Sequence, residues 1–108
     1  MQIFKIKKND TLPVLAATLT YEDGTPIDLN NGSVWFNMGL STTYAAFTSG
    51  QCVITGSSLG QVEYRWTGTT DTGTSGTYFG EFEIQWTGSK MTIPSDHSFK
   101  IEVNEDYN

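Results

Sequence analysis

A chain of 108 residues is the size of one ordinary domain and leaves no room for a second core. Twelve acidic against six basic side chains give a net charge of −6, which repels a phosphate backbone, and no apolar run approaches a membrane span; neither nucleic acid nor membrane is an expected partner. The single cysteine, Cys52, excludes an internal disulfide, and the N-terminus turns charged at Lys5 before a secretory leader can form, so a soluble protein that matures in a cytosol is expected.

Apolar residues recur with period two wherever the chain is not rich in Gly, Ser, Thr or Asn, and that period is the signal of strands. Phe4 and Ile6 open a first short strand. Leu15, Ala17, Leu19 and Tyr21 share one face of a second, with Ala16, Thr18 and Thr20 on the other. Glu22 to Pro26 then reads as a turn, since Asp23-Gly24 supplies the positive φ of tight turns. Val34, Phe36 and Met38 alternate with Trp35 and Asn37 in the next strand. Tyr44 and Phe47 fall in a stretch with no regular period, and Val53-Ile54 suggests a short strand. Val62, Tyr64 and Trp66 alternate with Gln61, Glu63 and Arg65. The Thr/Gly-rich stretch from Thr67 to Thr77 reads as a loop, because strands that need one another flank it.

The clearest alternation comes late, where Tyr78, Gly80, Phe82, Ile84 and Trp86 share one face and Phe79, Glu81, Glu83, Gln85 and Thr87 the other. Thr87-Gly88-Ser89 is a hairpin connection into Lys90 to Ile93, and Pro94 stops that strand because it cannot donate to a ladder. Phe99, Ile101 and Val103 form the last strand. Seven or eight short strands separated by turns are the pattern of a two-sheet sandwich, here one domain over residues 1–108.

The run Ile6-Lys7-Lys8-Asn9-Asp10-Thr11-Leu12-Pro13-Val14-Leu15, followed by Leu19, Asp23 to Leu29 and Val34 to Met38, resembles the immunoglobulin-like domain of phage baseplate upper proteins. Gly60 to Trp66, Asp71-Thr72, Gly76-Thr77-Tyr78 and Glu81 to Ile84 continue the likeness over nearly the whole chain. The resemblance implies an all-β, immunoglobulin-like antiparallel β-sandwich of seven to eight strands. It also implies a structural connector of the virion, assembled in the cytoplasm of a host bacterium. The implied partners are other tail or baseplate proteins, or a second copy of the chain. Asn9 stands where a glycine is common in that family, a harmless change because asparagine tolerates turn geometry. The chain closes at Asn108 without a helical or fibre-forming extension, so a receptor-binding or trimerising role of longer relatives is not carried over.

The side chains offer little for chemistry. His97, between Asp96 and Ser98, reads as a loop residue, because neighbours on an extended chain point to opposite sides and cannot form a triad locally. One His and one Cys cannot assemble a zinc site of the usual ligand type, and no phosphate-cradling fingerprint is present. Cys52 reads as a small core hydrophobe with no cation beside it in sequence. Asp10, Asp23 and Asp28 are best placed to satisfy turn backbone, the density of oxygens that calcium needs being absent from any segment. Glu81 and Glu83 share a strand face about 7 Å apart, a glycosidase-like separation, but on a face expected to be solvated and without the apolar pocket a general acid needs. No catalytic, cofactor-binding or metal-ligating residue is therefore assigned, no cofactor is expected, and the chain is not expected to be an enzyme.

Two structural devices and one surface stand out. Tyr78, following a loop with Asp71, resembles a tyrosine corner, whose hydroxyl bonds nearby backbone. Lys5, Lys7 and Lys8 gather at one end of the chain and Glu102, Glu105 and Asp106 at the other. They read as solvated strand edges, the lysines also discouraging stray strand pairing or meeting an acidic neighbour. Trp35 and Phe79 are out of phase with the core, and with Tyr44 and Phe47 they are the candidate interface residues, for contacts with virion proteins or, alternatively, as an aromatic platform of a carbohydrate- or receptor-binding, adhesin-like module.

Overall fold

The computed structural model describes residues 2–42, 46–94 and 98–105, with backbone only at Gln2, Ala46 and Phe47. In chain order the strands are β1 (Gln2–Lys7), β2 (Leu15–Thr18), β3 (Ser33–Leu40), β4 (Ala46–Gln51), β5 (Val53–Gly56), β6 (Gln61–Tyr64), β7 (Gly76–Trp86), β8 (Ser89–Ile93) and β9 (Phe99–Asn104). A 3₁₀ turn, Ser57–Leu59, joins β5 to β6. Six strands form one sheet in the order β1-β9-β7-β3-β4, with β8 also on β7, and three form the other in the order β2-β6-β5. The two sheets pack as a sandwich, with β2, β6 and β5 in one layer and β9, β7 and β3 at the centre of the other.

The organising element is β7, whose eleven residues extend roughly 37 Å by strand rise, close to the 43 Å long axis of the molecule. Its length lets one edge serve two partners in succession. Gly76 to Phe79 pair with β9, and Phe82 to Trp86 pair with β8. β8 and β9 therefore act as one strand interrupted after Ile93, where Pro94 has no N–H to offer the ladder. The other edge of β7 pairs with all of β3, which sets Val34 opposite Ile84, Phe36 opposite Phe82 and Met38 opposite Gly80. These residues all point into the sandwich and are buried. Gly80 is needed there because a Cβ would stand 3.0 Å from the Phe36 ring and 3.1 Å from that of Phe99.

From the smaller sheet, Leu15, Val62 and Tyr64 close over this layer, with Leu19, Ile27, Leu29 and Trp66 from the flanking segments. Phe36 sits at the centre of the aromatic core, its ring centroid 4.9 Å from Tyr64, 5.4 Å from Phe82 and 5.7 Å from Trp66. Trp66 also stacks on Phe4 at 5.6 Å. The tilted and edge-on geometries are those that ring quadrupoles favour, and they add to the area the rings bury.

Several expectations change in detail. Nine strands are formed among the described residues rather than seven or eight. The sandwich is not purely antiparallel, since β1 runs parallel to β9 with Phe4 beside Ile101 and Ile6 beside Val103. The stretch around Phe47 is β4, an edge strand whose register slips against Met38 and Gly39. Tyr21 does not continue the β2 face; it is 48% exposed, because the chain turns there and the Tyr21 N–H donates back to the Thr25 carbonyl. Asn9 has φ of 68°, the left-handed geometry that its residue type tolerates. No helix among the described residues is long and apolar enough to cross a membrane.

Candidate functional site

Residues alternating with the buried ones on β3 and β7 form the outer face of the six-stranded sheet. Register fixes their rows. One row runs Thr92, Glu83, Trp35 and Gln51, and the next sets Asn37 between Glu81 and Ser49. A further row runs Ile3, Lys100, Phe79 and Gly39. Trp35 and Phe79 thus share this face, on adjacent strands and separated by about 14 Å along them. Both are half-buried, as are Glu81, Glu83 and Asn37 between them.

Polar groups on the face are partly engaged with one another. Ser49 donates to Asn37 Oδ1 at 2.6 Å. Glu83 accepts from Gln85 at Oε1 and lies 4.0 Å from the Lys90 ammonium at Oε2. Glu81 and Glu83 do lie on one face, as the alternation predicts, but Glu83 is held by these neighbours on an open sheet surface. Phe47 is the extra residue at the β4 register slip. Tyr44 and His97 lie outside the described residues, as does Asp106.

The most constrained polar site centres on Asp71, which the sequence marks only as part of the family likeness and of the loop before Tyr78. Asp71, in the loop between β6 and β7, has no exposed surface. Its Oδ1 accepts from the N–H groups of Gly68 at 3.0 Å and Thr72 at 2.8 Å and from the Thr67 hydroxyl at 3.0 Å. Its Oδ2 accepts from the Tyr64 hydroxyl at 2.7 Å and the Thr67 N–H at 2.9 Å. Burial is the largest single influence on this carboxyl and acts to raise its pKa. The donors at Thr67, Tyr64 and Gly68 outweigh it together and hold the group below the usual carboxylate range. The same contact, after burial, pushes the Tyr64 phenol up.

Around this node the loop is tied to the start of the chain. The Asn9 N–H donates to the Thr72 carbonyl at 2.8 Å, and the Thr72 hydroxyl to the Asp10 carbonyl at 2.9 Å. At the other end of the loop the Tyr78 hydroxyl donates to the Thr74 carbonyl at 2.7 Å. That is the tyrosine-corner geometry, in which the ring fills the core and its one polar atom satisfies the turn. A lone Asp in a Thr/Gly-rich loop gives little outward sign of such a role; the one available signal is its position a few residues before Gly76-Thr77-Tyr78.

The remaining expected sites resolve simply. Asp23 and Asp28 accept from the N–H groups of Thr25 and Asn30, two residues on in each case. Asp10 contributes its backbone, accepting from Thr72 and donating to the Lys7 carbonyl. Cys52 is buried, and that burial pushes its thiol up to about 12. No cluster of three or more His, Cys, Asp or Glu able to hold a metal occurs among the described residues. The chain matches no protein-family model and no curated protein.

Proposed function

We propose that the chain is a connector module of a phage virion, at the tail or baseplate, which docks on other virion proteins through the outer face of its six-stranded sheet and has no catalysis of its own. The observation that carries this reading is the placement of Trp35 and Phe79 on that face, away from the core and framed by Glu81, Glu83, Asn37 and Lys100. Large aromatics inside a polar frame are the composition of interface centres. The sequence resemblance to baseplate domains supplies the setting. Glu83 is engaged by Lys90 and Gln85, and the Cys52 thiol is protonated at neutral pH; both favour contact over chemistry.

The test combines pull-down and titration. Trp35→Ala and Phe79→Ala should each weaken co-assembly with purified tail or baseplate proteins at least tenfold, about 1.4 kcal/mol, while leaving the unfolding midpoint close to that of the parent. Saturable quenching of tryptophan fluorescence by glycans, with no co-assembly, would replace docking by a carbohydrate platform.

A further inference from the structure

The edges of the two sheets are not equally protected. In the large sheet, β1 carries Lys5 and Lys7, β8 carries Lys90 and stops at Pro94, and β4 has a slipped register. In the small sheet, β5 is slipped between Ile54 and Gly56. Lysines, prolines and bulges are the devices by which edge strands avoid pairing with other chains. The remaining edge, β2, reads Leu15-Ala16-Ala17-Thr18 and continues into Leu19 and Thr20 with none of them.

The register of β2 shows which backbone groups that edge offers. The Leu19 N–H donates to the Gly60 carbonyl, which makes Thr18 with Gln61 a non-hydrogen-bonded pair and alternates from there along the ladder with β6. The N–H and C=O groups of Ala16 and Thr18 therefore face away from β6. They point from a free edge with no hydrogen-bond partner among the described residues. Beside this edge lies a cleft of about 860 Å³ lined by Phe4, Leu15, Ala17, Phe82, Ile93 and Phe99, among other residues. Phe4, Ala17, Ile93 and Phe99 are among the core's partly buried members, apolar groups that the fold leaves half covered. None of the described residues lining the cleft is charged.

We infer that β2 is an acceptor edge for an extended segment of a partner protein, a strand with apolar side chains at alternate positions. Its backbone joins Ala16 and Thr18, and its apolar side chains enter the cleft. Strand addition of this kind draws affinity from the main chain and specificity from the alternate pockets. Neither Trp35 nor Phe79 lines this cleft, so variants at those two aromatics test docking on the outer face without touching the β2 edge.

The probe is a peptide of about ten residues alternating valine and threonine, with two aspartates at each end, titrated to about 1 mM into the ¹⁵N-labelled full chain. Saturable shifts and slowed amide exchange at Ala16 and Thr18 are expected, and an analogue with serine in place of each valine should bind at least threefold more weakly. Thr18→Pro removes an outward N–H without breaking the β6 ladder, and Ala17→Phe fills the cleft without altering the edge; each should weaken binding at least tenfold. Should the proline variant not fold, the phenylalanine variant decides alone. No shifts, shifts confined to β4 or β5, or the same protection arising from self-association without peptide would each overturn the inference.

Discussion

Replacing Asp71 with asparagine changes one oxygen to an NH₂ group and probes the loop that joins the two sheets. Tyr64 can turn its hydroxyl to accept, but the Thr67 N–H, which both carboxylate oxygens now receive, loses one acceptor to a donor facing it. Hydrogen bonds to a charged group contribute about 1.5–3 kcal/mol, and a buried donor left poorly satisfied costs about 1–3 kcal/mol. With partial relaxation the expected loss is about 2–4 kcal/mol, a large part of the 5–15 kcal/mol typical of a domain. For a chain of this size that lowers the melting temperature by roughly 10–20 °C. Urea denaturation at pH 7 should show a lower midpoint with an unchanged slope. The folded-state pKa of Asp71 is depressed, so its contribution is present above the ordinary carboxylate value near 3.8 and is lost as pH falls through the lower folded value. The parent and Asp71→Asn curves should therefore converge in strong acid and separate above about pH 4. A loss at pH 7 of less than about 0.5 kcal/mol, the scale of an ordinary surface change, would refute this account of the loop.

Tyr78→Phe keeps the buried ring but leaves the Thr74 carbonyl without its donor; a loss of about 0.5–1.5 kcal/mol by denaturant titration is expected. Gly60→Ala puts a Cβ 2.4 Å from the Leu19 carbonyl oxygen at a φ of 69°, so a loss of at least about 2 kcal/mol is expected. Phe36→Ala opens a cavity among Tyr64, Trp66 and Phe82 and should cost about 3–5 kcal/mol by the same titration. Cys52, with its thiol pushed up to about 12, should stay unmodified by a thiol reagent at pH 8 in the folded protein and react promptly in denaturant.

Much of the sandwich was legible where one face is buried and the other is not. Along β3 and β7 the inward set Val34, Phe36, Met38, Phe82 and Ile84 alternates with polar or half-buried neighbours, and period two follows directly from the pleat. β4 was hidden because Thr48, Ser49, Gly50 and Gln51 carry no apolar alternation; it is recruited by pairing with β3. Tyr21 was misplaced because the alternation runs past the end of β2, and the decisive event there is a backbone turn closed by Thr25 and Gly24. For the candidate surface, the phase of Trp35 and Phe79 was enough to put both opposite the core. It could not show that one register sets them on neighbouring strands.

Local information determined the strands other than β4, their inward faces, the turn chemistry of Asp23, Asp28 and Asn9, and the corner at Tyr78, because each depends on side chains within a few residues. The tertiary structure decided the rest. The parallel docking of β1 on β9, the shared edge of β7, the burial of Asp71 and the open edge of β2 all join segments distant in the chain. Alternation says which way a side chain points but not which strand lies beside it, and that neighbour determines whether a backbone edge or a carboxylate is satisfied or left open.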